Sequence, residues 1–233
     1  MSEATAAAHA PGAHDHGHHG PAYLAHHFTT PVQQYDAAKL GMWLFLAQEL
    51  LFFSGLFVSY LVFRLWYPQA WSVGSHELDW KLGTVNTLVL LFSSLTAVLA
   101  VRSAQLGERK KTSMYILVTI ACACAFLVVK YFEYQHKFHA GLLPGHYFNP
   151  HGHLNSHVFP AGTAAFFSVY FMATGVHGVH VLVGIGVLLW IWRRNESGEF
   201  TKEFWTPVDL VALYWHLVDL IWIYLFPFLY LID

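Results

Sequence analysis

The sequence predicts an all-α, polytopic membrane protein in which a bundle of five transmembrane helices crosses the bilayer. Three observations support this fold class. Of the 233 residues, 56% are hydrophobic and only 11% are charged, whereas a soluble chain carries about 25% charged residues. Five apolar runs each reach the roughly 20 residues that a helix needs to cross the hydrocarbon core. Aromatic residues make up 17% of the chain, and many lie near the ends of these runs, as is typical of membrane interfaces.

The five apolar runs are predicted to be helical, because an isolated strand in lipid would leave its backbone groups unpaired. They lie at residues 40–66, 84–103, 113–133, 165–192 and 207–231. They show no internal repeat, so the sequence gives no support to an inverted-repeat transporter.

The basic residues of the loops predict how the bundle is oriented. Most of them lie in the second and fourth loops between the runs, whereas the first and third loops offer Lys81 and Lys137. Basic loops face the cytoplasm, which places the N-terminus inside and the C-terminus outside. The basic residues of the second and fourth loops are Arg102, Arg109, Lys110, Lys111, Arg193, Arg194 and Lys202.

Residues 1–36 are predicted to form a disordered, His-rich N-terminal arm, followed by the transmembrane domain at residues 37–233. The first part of the arm has no Lys or Arg and no continuous apolar core, so it does not resemble a secretory signal peptide. Its composition is typical of disorder, although a His-rich tract can also bind metal weakly. Its histidines are His9, His14, His16, His18, His19, His26 and His27.

Three further features bear on function. A net charge of -2 provides no basic footprint for nucleic acid. Cys122 and Cys124 have a spacing that fits neither a zinc site nor haem attachment, so they are interpreted as packing residues. The long third loop, residues 135–162, holds a second set of histidines that could meet a metal ion but is better interpreted as a polar cap on a neighbouring chain. These are His136, His139, His146, His151, His153 and His157.

Several ionisable side chains lie inside the apolar runs, where each costs about 2.5–3.5 kcal/mol on insertion scales and therefore needs a partner or a function. Glu49 lies about 15 Å and Asp219 about 18 Å from the cytoplasmic ends of their helices. His177 and His180 share a helix face, as do His216 and Asp219, because each pair is three residues apart. These five residues predict a buried polar network near the middle of the membrane. Two more, Lys130 and Glu133, lie nearer the outer side and are expected to neutralise each other.

The residues alone leave three interpretations of this network open. Paired histidines with carboxylates could hold iron, zinc or a b-type haem. Alternatively, the polar groups form hydrogen bonds between helices that glycines allow to approach closely. The third interpretation is a proton path through Glu49. The glycines in question are Gly175, Gly178, Gly184 and Gly186.

Three segments resemble the subunit III family of haem–copper respiratory oxidases. LAQELLFFSG at 46–55 is similar to the segment that carries the family's buried glutamate. ATGVHGVHV at 173–181 resembles its ATGFHGxHV signature, and YWHLVDLIW at 214–222 resembles its closing YWHFVDxxW motif. NTLVLL at 86–91 and the pair Glu133 and Tyr134 are weaker matches. The motifs follow the family's order and cover residues 39–233.

The resemblance implies a non-catalytic subunit of an aerobic terminal oxidase that reduces oxygen to water and pumps protons. Haem and copper are then expected in the partner subunits, with no metal or redox centre in this chain. The implied partners are oxidase subunit I by direct contact, subunit II and other subunits of the respiratory complex, and membrane lipids. The family holds phospholipid among its helices, stabilises subunit I and supports proton uptake. The residues carried over as its buried polar network are Glu49, His177, His180, His216, Asp219 and Glu133.

Three further expectations concern single residues. Glu49 matches the family's carbodiimide-reactive glutamate, and we expect it to be protonated at neutral pH because its own helix places no cation beside it. Lys39 and Arg64 lie near helix ends and are expected to bind lipid phosphates as point charges.

The chain also departs from the family. Mitochondrial-type members have two further helices before the segment that matches residues 40–66, and the five-helix form points to a bacterial inner membrane. The lipid cleft against those two helices is therefore not expected here. Val176 and Leu217 stand where the family has phenylalanine. Subunit III of a quinol oxidase, an accessory subunit of a nitric oxide reductase and, from another class, a haem-b membrane anchor are the alternatives.

Overall fold

Six α-helices make up the part of the chain that the computed structural model describes, which is residues 23–25, 27–144, 148 and 159–232. Five of them are long and apolar enough to cross a membrane, which confirms the predicted fold class. These five are α1 Pro31–Trp66, α3 Trp80–Gln105, α4 Arg109–His139, α5 Thr163–Glu196 and α6 Thr206–Tyr230. The short α2, Pro68–His76, lies between α1 and α3.

The helices α1 and α3 begin earlier than their apolar runs, and a polar side chain caps each of them. The Thr30 side chain accepts a hydrogen bond from the backbone of Gln33, and Pro31 occupies the first helical position of α1. Asp79 likewise accepts hydrogen bonds from the first backbone N–H groups of α3. The predicted arm therefore differs from the structure at its end, since residues 31–36 are helical. Just before them, Tyr23 stacks on Phe204 with ring centroids 5.0 Å apart. Residues 1–22 and 26 of the arm lie outside the described residues.

The third loop is shorter than the sequence predicted, because α4 continues to His139. His136, Lys137 and His139 lie in its last turn, where cations interact favourably with the helix C-terminus. Lys137 is buried and donates a hydrogen bond to the backbone carbonyl of Glu77. The other four histidines of the predicted polar cap lie outside the described residues. They are His146, His151, His153 and His157.

Helices α3, α4, α5 and α6 form the core of the bundle. α3 packs against α4 and α6, and α5 packs against the same two helices. α1 lies on the outside, against α5, α6 and α2, and its buried side chains are Leu46, Phe53 and Tyr60. The rest of α1 presents apolar side chains outward, which suits a helix in lipid and would be unfavourable in water.

The long helices alternate in direction, so the bundle has two different ends. One end carries the start of α1, the α3–α4 connection and the α5–α6 connection, with their arginines and lysines. We call it the basic end. The other end carries α2 and the last residues of α6, and we call it the opposite end.

Gly184 is the glycine that allows α5 to approach α6 closely. A Cβ atom at this position would lie 2.7 Å from the ring of Trp215, which is fully buried on α6. A Cβ atom at Gly175 would lie 3.9 Å from the hydroxyl of Tyr134, and one at Gly178 or Gly186 would meet no atom of the described residues within 4 Å. The interpretation of hydrogen bonds between closely approaching helices named all four glycines, and in the described part of the chain the tight contact lies at Gly184.

Candidate functional site: the buried polar residues

Glu49 of α1 and His180 of α5 contact each other directly. Nε2 of His180 lies 3.0 Å from Oε2 of Glu49, and Nδ1 lies 2.9 Å from the carbonyl oxygen of Val176. A carbonyl can only accept, so Nδ1 carries a proton. One more proton lies between Nε2 and Oε2. The pair is therefore a neutral carboxyl that donates to a neutral imidazole, or a carboxylate that accepts from an imidazolium.

The surroundings of this pair are apolar. The ring of Phe53 packs edge-on against His180 with centroids 5.1 Å apart, and the Glu49 side chain is only 14% exposed. Two separated charges are costly to desolvate in such a place, whereas a neutral hydrogen-bonded pair is not. The sequence prediction of a protonated Glu49 considered only its own helix. The structure supplies a partner across the interface, His180 of α5.

Two substitutions at Glu49 distinguish the contribution of its hydrogen bond to stability from the contribution of its charge. In Glu49→Gln the side-chain amide still donates to Nε2 of His180, so we expect little change in stability. In Glu49→Leu that nitrogen loses its partner, and we expect a loss of about 1–3 kcal/mol. The measurement is reversible unfolding of the complex in detergent. An infrared carbonyl band of a protonated carboxyl should be present in the wild type and absent in Glu49→Gln. A wild type without that band would show that Glu49 is a carboxylate.

A second polar group joins α3 to α6. The hydroxyl of Ser94 lies 2.7 Å from Nδ1 of His216, and that of Ser93 lies 3.4 Å from Oδ2 of Asp219. Trp215 donates to Ser93 at 3.0 Å. Asp219 is only 2% exposed, and its Oδ1 has no hydrogen-bond partner among the described residues. Within the described part of the chain, therefore, one of the two carboxyl oxygens of the buried Asp219 has a hydrogen-bond partner and the other has none.

His177 stands apart from both groups. Its fully buried ring lies between Phe126 and Trp222, with centroid distances of 5.5 and 5.3 Å. Neither ring nitrogen has a hydrogen-bond partner within the described part of the chain, and the same holds for the side-chain amide of the buried Asn86.

The third group is the ion pair of Lys130 and Glu133 on α4. Nζ of Lys130 lies 3.0 Å from Oε2 of Glu133, as the spacing of these residues predicted. Lys130 also donates to the hydroxyls of Tyr170 and Tyr230 at 3.1 and 2.8 Å. Both tyrosines donate to Oε1 of Glu133, at 2.8 and 2.5 Å. A buried and fully hydrogen-bonded ion pair thus joins α4, α5 and α6 near the opposite end.

The structure therefore divides the predicted polar network into separate groups. Among the described residues, no hydrogen bond links the Glu49 pair, the Asp219 group and the Lys130 pair to one another. No three His, Cys, Asp or Glu side chains of the described part are grouped where they could hold a metal ion. What the arrangement does chemically is to hold five helices together through hydrogen bonds. It buries the carboxyl groups of Glu133 and Asp219 and leaves that of Glu49 half-buried.

Lys39 and Arg64, the two predicted lipid ligands, both contact side chains of this chain. Nζ of Lys39 lies 2.6 Å from the hydroxyl of Tyr35 and 3.5 Å from Oδ2 of Asp209. Arg64 donates to the hydroxyl of Tyr60 at 3.2 Å. The Lys39 side chain remains 36% exposed, so it can still meet a ligand from outside.

Sequence reasoning missed the hydroxyl groups that complete these sites. Ser93 and Ser94 form an adjacent serine pair within an apolar run, which was the available signal. Tyr170 and Tyr230 lie on different helices and gave no signal, because tyrosine is common at membrane interfaces and nothing in the sequence shows which hydroxyl reaches Lys130.

Fold and site together define a class of protein: a polytopic helical membrane protein whose buried acids are paired with histidine, serine, lysine and tyrosine. The family model described as cytochrome c oxidase subunit III matches residues 19–142 and 147–233. This chain belongs to the cytochrome c oxidase subunit III family, and hence to a multi-subunit membrane oxidase of the respiratory chain.

Similarity to curated relatives agrees with this assignment. Cytochrome c oxidase subunit 3 of Corynebacterium diphtheriae is 32% identical over 200 residues, covering 85% of this chain and 89% of the relative. A probable cytochrome c oxidase subunit 3 of Nocardia farcinica is 30% identical over 197 residues, covering 84% and 89%. Quinol oxidase subunit 3 of Bacillus spizizenii is 30% identical over 193 residues, covering 82% and 85%.

Proposed function

We propose that this chain is a non-catalytic subunit III of a bacterial aerobic terminal oxidase, and that it supports subunit I without transferring electrons itself. The oxidase reduces oxygen to water with proton pumping, takes electrons from cytochrome c and keeps its haem and copper in the partner subunits. The observation that carries the proposal is the hydrogen bond between Glu49 and His180. Each residue lies in a segment that resembles the family, and each uses its polar side chain to bond to the other.

The other histidines give further support. His216 shares a hydrogen bond with Ser94 at 2.7 Å, and His180 uses both ring nitrogens, at 2.9 and 3.0 Å. His177 is enclosed by the rings of Phe126 and Trp222. A histidine that ligates haem needs a free ring nitrogen directed into open space beside it. Hydrogen bonding and packing between helices explain these histidines better than haem ligation does.

Lipid binding and orientation belong to the same proposal. Lys39 near the basic end and Arg64 in the last turn of α1 would bind phospholipid phosphates at the two membrane surfaces. The exposed apolar side chains of α1 between them would lie against the acyl chains. The basic end faces the cytoplasm, which leaves the C-terminus outside the inner membrane. Subunit I is the direct partner, with subunit II in the same complex, and proton uptake by the oxidase is the activity that this chain sustains.

Gentle purification through a tag on this chain tests the central proposal. We expect haem and a large polytopic subunit to co-purify, and the haem to stay with that partner once the two are separated. The absorption spectrum and the identity of the co-purified proteins are the measurements. Haem that remains bound to this chain after separation would contradict the proposal and make the histidines ligands.

A quinol oxidase is the second candidate, because the Bacillus spizizenii relative bears that name. The two candidates are separated by the donor that the purified complex accepts. Oxygen consumption with reduced cytochrome c supports the first candidate. Oxygen consumption with a quinol and none with cytochrome c would support the second.

A further inference from the structure

A pocket of about 260 Å³ opens at the basic end, between the residues before α1, the first turns of α1 and the α5–α6 connection. Four aromatic side chains line it, and we call it the aromatic pocket. Tyr23 stacks on Phe204 with ring centroids 5.0 Å apart, and the ring of Tyr35 lies 5.7 Å from that of Trp205. The other lining residues are Pro31, Val32, Gln34, Glu203 and Thr206.

Hydrogen bonds between segments hold one wall of this pocket in place. The side-chain carbonyl of Gln34 on α1 accepts from the backbone N–H of Ala25 at 2.8 Å. The side-chain amide of the same residue donates to the carbonyl oxygen of Tyr23 at 3.1 Å. These two bonds fix the residues before α1 against the helix, so Tyr23 is held where it stacks on Phe204. The chain itself therefore keeps the pocket in shape.

The charges around the pocket favour an ammonium group. Among the described residues that line it, Glu203 is the one charged side chain, so an anion inside would meet a carboxylate. A cation is attracted to the faces of aromatic rings within about 6 Å of their centroids. The positive N-terminal ends of α1 and α6 would attract an anion, but Thr30 already caps α1 and Asp209 lies in the first turn of α6.

Lys39 lies next to the pocket and provides a site for a phosphate. Its Nζ donates to the hydroxyl of Tyr35 at 2.6 Å and lies 3.5 Å from Oδ2 of Asp209. An ammonium group has three N–H donors, so one remains after these two contacts, and the side chain is 36% exposed. Because Tyr35 lines the pocket, Lys39 is within reach of a phosphate that is joined to an ammonium group inside it.

The pocket lies at the level of lipid headgroups. Tyr35 precedes Leu40, the start of the apolar run, by about 8 Å along the helix, and headgroups occupy about 5–8 Å on each side of the hydrocarbon. Trp43 and Leu50 follow Val32 at nearly whole numbers of helical turns, so the three residues share one face of α1. Both side chains are more than half exposed. An acyl chain can therefore run along α1 from a headgroup in the pocket.

We propose that the aromatic pocket binds the ammonium headgroup of a zwitterionic phospholipid, such as phosphatidylethanolamine or phosphatidylcholine. The aromatic rings and the carboxylate of Glu203 hold the ammonium group, and Lys39 binds the phosphate. An anionic phospholipid such as phosphatidylglycerol offers a phosphate to Lys39 and no cation to the pocket. The inference deepens the proposed lipid binding and rests on it, because Lys39 is the phosphate ligand in both.

Photo-cross-linking tests the headgroup preference. The complete complex is purified in detergent through a tag on this chain and mixed with phosphatidylethanolamine that carries a photoreactive diazirine in its headgroup and keeps its ammonium. A matched phosphatidylglycerol probe is used in parallel. We expect the ethanolamine probe to label the peptides that contain Tyr23 and Trp205. Unlabelled phosphatidylethanolamine or phosphatidylcholine should compete at least about fivefold better than phosphatidylglycerol.

Variants locate the binding within the chain. Glu203→Gln removes the carboxylate and Trp205→Leu removes one ring, and each should lower the labelling of the Tyr23 peptide by the ethanolamine probe at least about fivefold. Glu108→Gln on the α3–α4 connection and Trp66→Leu at the other end of α1 are the matched controls and should leave it unchanged. Co-purification of the partner subunits checks that each variant is assembled.

The outcomes separate this inference from the proposals on which it rests. Equal competition by the two headgroup classes would overturn the inference and leave lipid binding at Lys39 standing. Labelling of this chain by neither probe would overturn both. Competition by choline chloride as strong as by the lipid would also overturn the inference, because a free cation would then be the ligand. Unchanged labelling in Glu203→Gln and Trp205→Leu would place the headgroup outside the pocket. None of these readouts uses haem or electron transfer, so the assignment as an oxidase subunit is tested separately.

Discussion

Replacement of Glu133 with alanine is expected to destabilise the bundle by about 3–5 kcal/mol, because it leaves a buried cation without its counterion. Lys130 is 7% exposed, and its ammonium group would keep only the tyrosine hydroxyls of α5 and α6 as acceptors. Those tyrosines would in turn lose the carboxylate to which they donate. The measurement is the free energy of unfolding of the complex in a mixed detergent titration, with retention of this subunit as a second readout.

Two controls distinguish the effect of breaking the buried ion pair from the effect of removing any charge. The double variant Lys130→Met with Glu133→Leu replaces both charges with apolar groups, and we expect it to be far less destabilised than Glu133→Ala alone. Glu108→Ala breaks the exposed pair of Lys111 and Glu108 and should cost at most about 1 kcal/mol. A double variant as unstable as the single one would show that the tyrosine hydroxyls, and not the ion pair, hold these helices together.

The second large effect is expected for Gly184→Leu, which should destabilise the contact between α5 and α6 by about 1–3 kcal/mol or more through overpacking. Even the first added carbon would lie 2.7 Å from the ring of Trp215. This ring is fully buried and donates to Ser93, so it cannot move without giving up that hydrogen bond. Thermal unfolding and the indole fluorescence of the complex are the measurements.

Gly186→Leu is the matched control on the same helix. A Cβ there meets nothing within 4 Å, and leucine favours the helix over glycine by nearly 1 kcal/mol. We expect this variant to be as stable as the wild type or slightly more stable. If the two variants are equally destabilised, the loss of glycine itself and not the contact with Trp215 is responsible.

The five spans were predictable because a backbone in lipid must form its hydrogen bonds within the chain. A run of about 20 apolar residues must be helical, and α3, α5 and α6 begin within a few residues of the predicted positions. The ends were less predictable, since they depend on polar residues outside the apolar pattern. Thr30 starts α1 well before the apolar run at residue 40, and Lys137 finds its partner on the α2–α3 connection, which no helical spacing indicates.

The candidate site was predictable as a set of residues and not as a set of partners. Spacing on one helix identified Lys130 with Glu133 correctly, because i,i+3 neighbours meet by geometry. The same reasoning placed His177 with His180, yet His180 bonds to Glu49 across the interface while His177 is enclosed by aromatic rings. Contacts between helices depend on rotation and depth, which the pattern of a single helix does not contain.

The position of α1 has a consequence for biogenesis. Synthesis is directional, and N-terminal segments emerge from the ribosome first. Among the described residues, the neighbours of α1 are α2, α5 and α6, and α5 and α6 are synthesised after α3 and α4. Glu49 therefore enters the membrane before His180 is synthesised, and its hydrogen bond to His180 cannot form until α5 arrives. The first of the described helices to be translated is thus held mainly by the last two of them, and a nascent chain released before α5 would expose Glu49 to the membrane without its histidine partner.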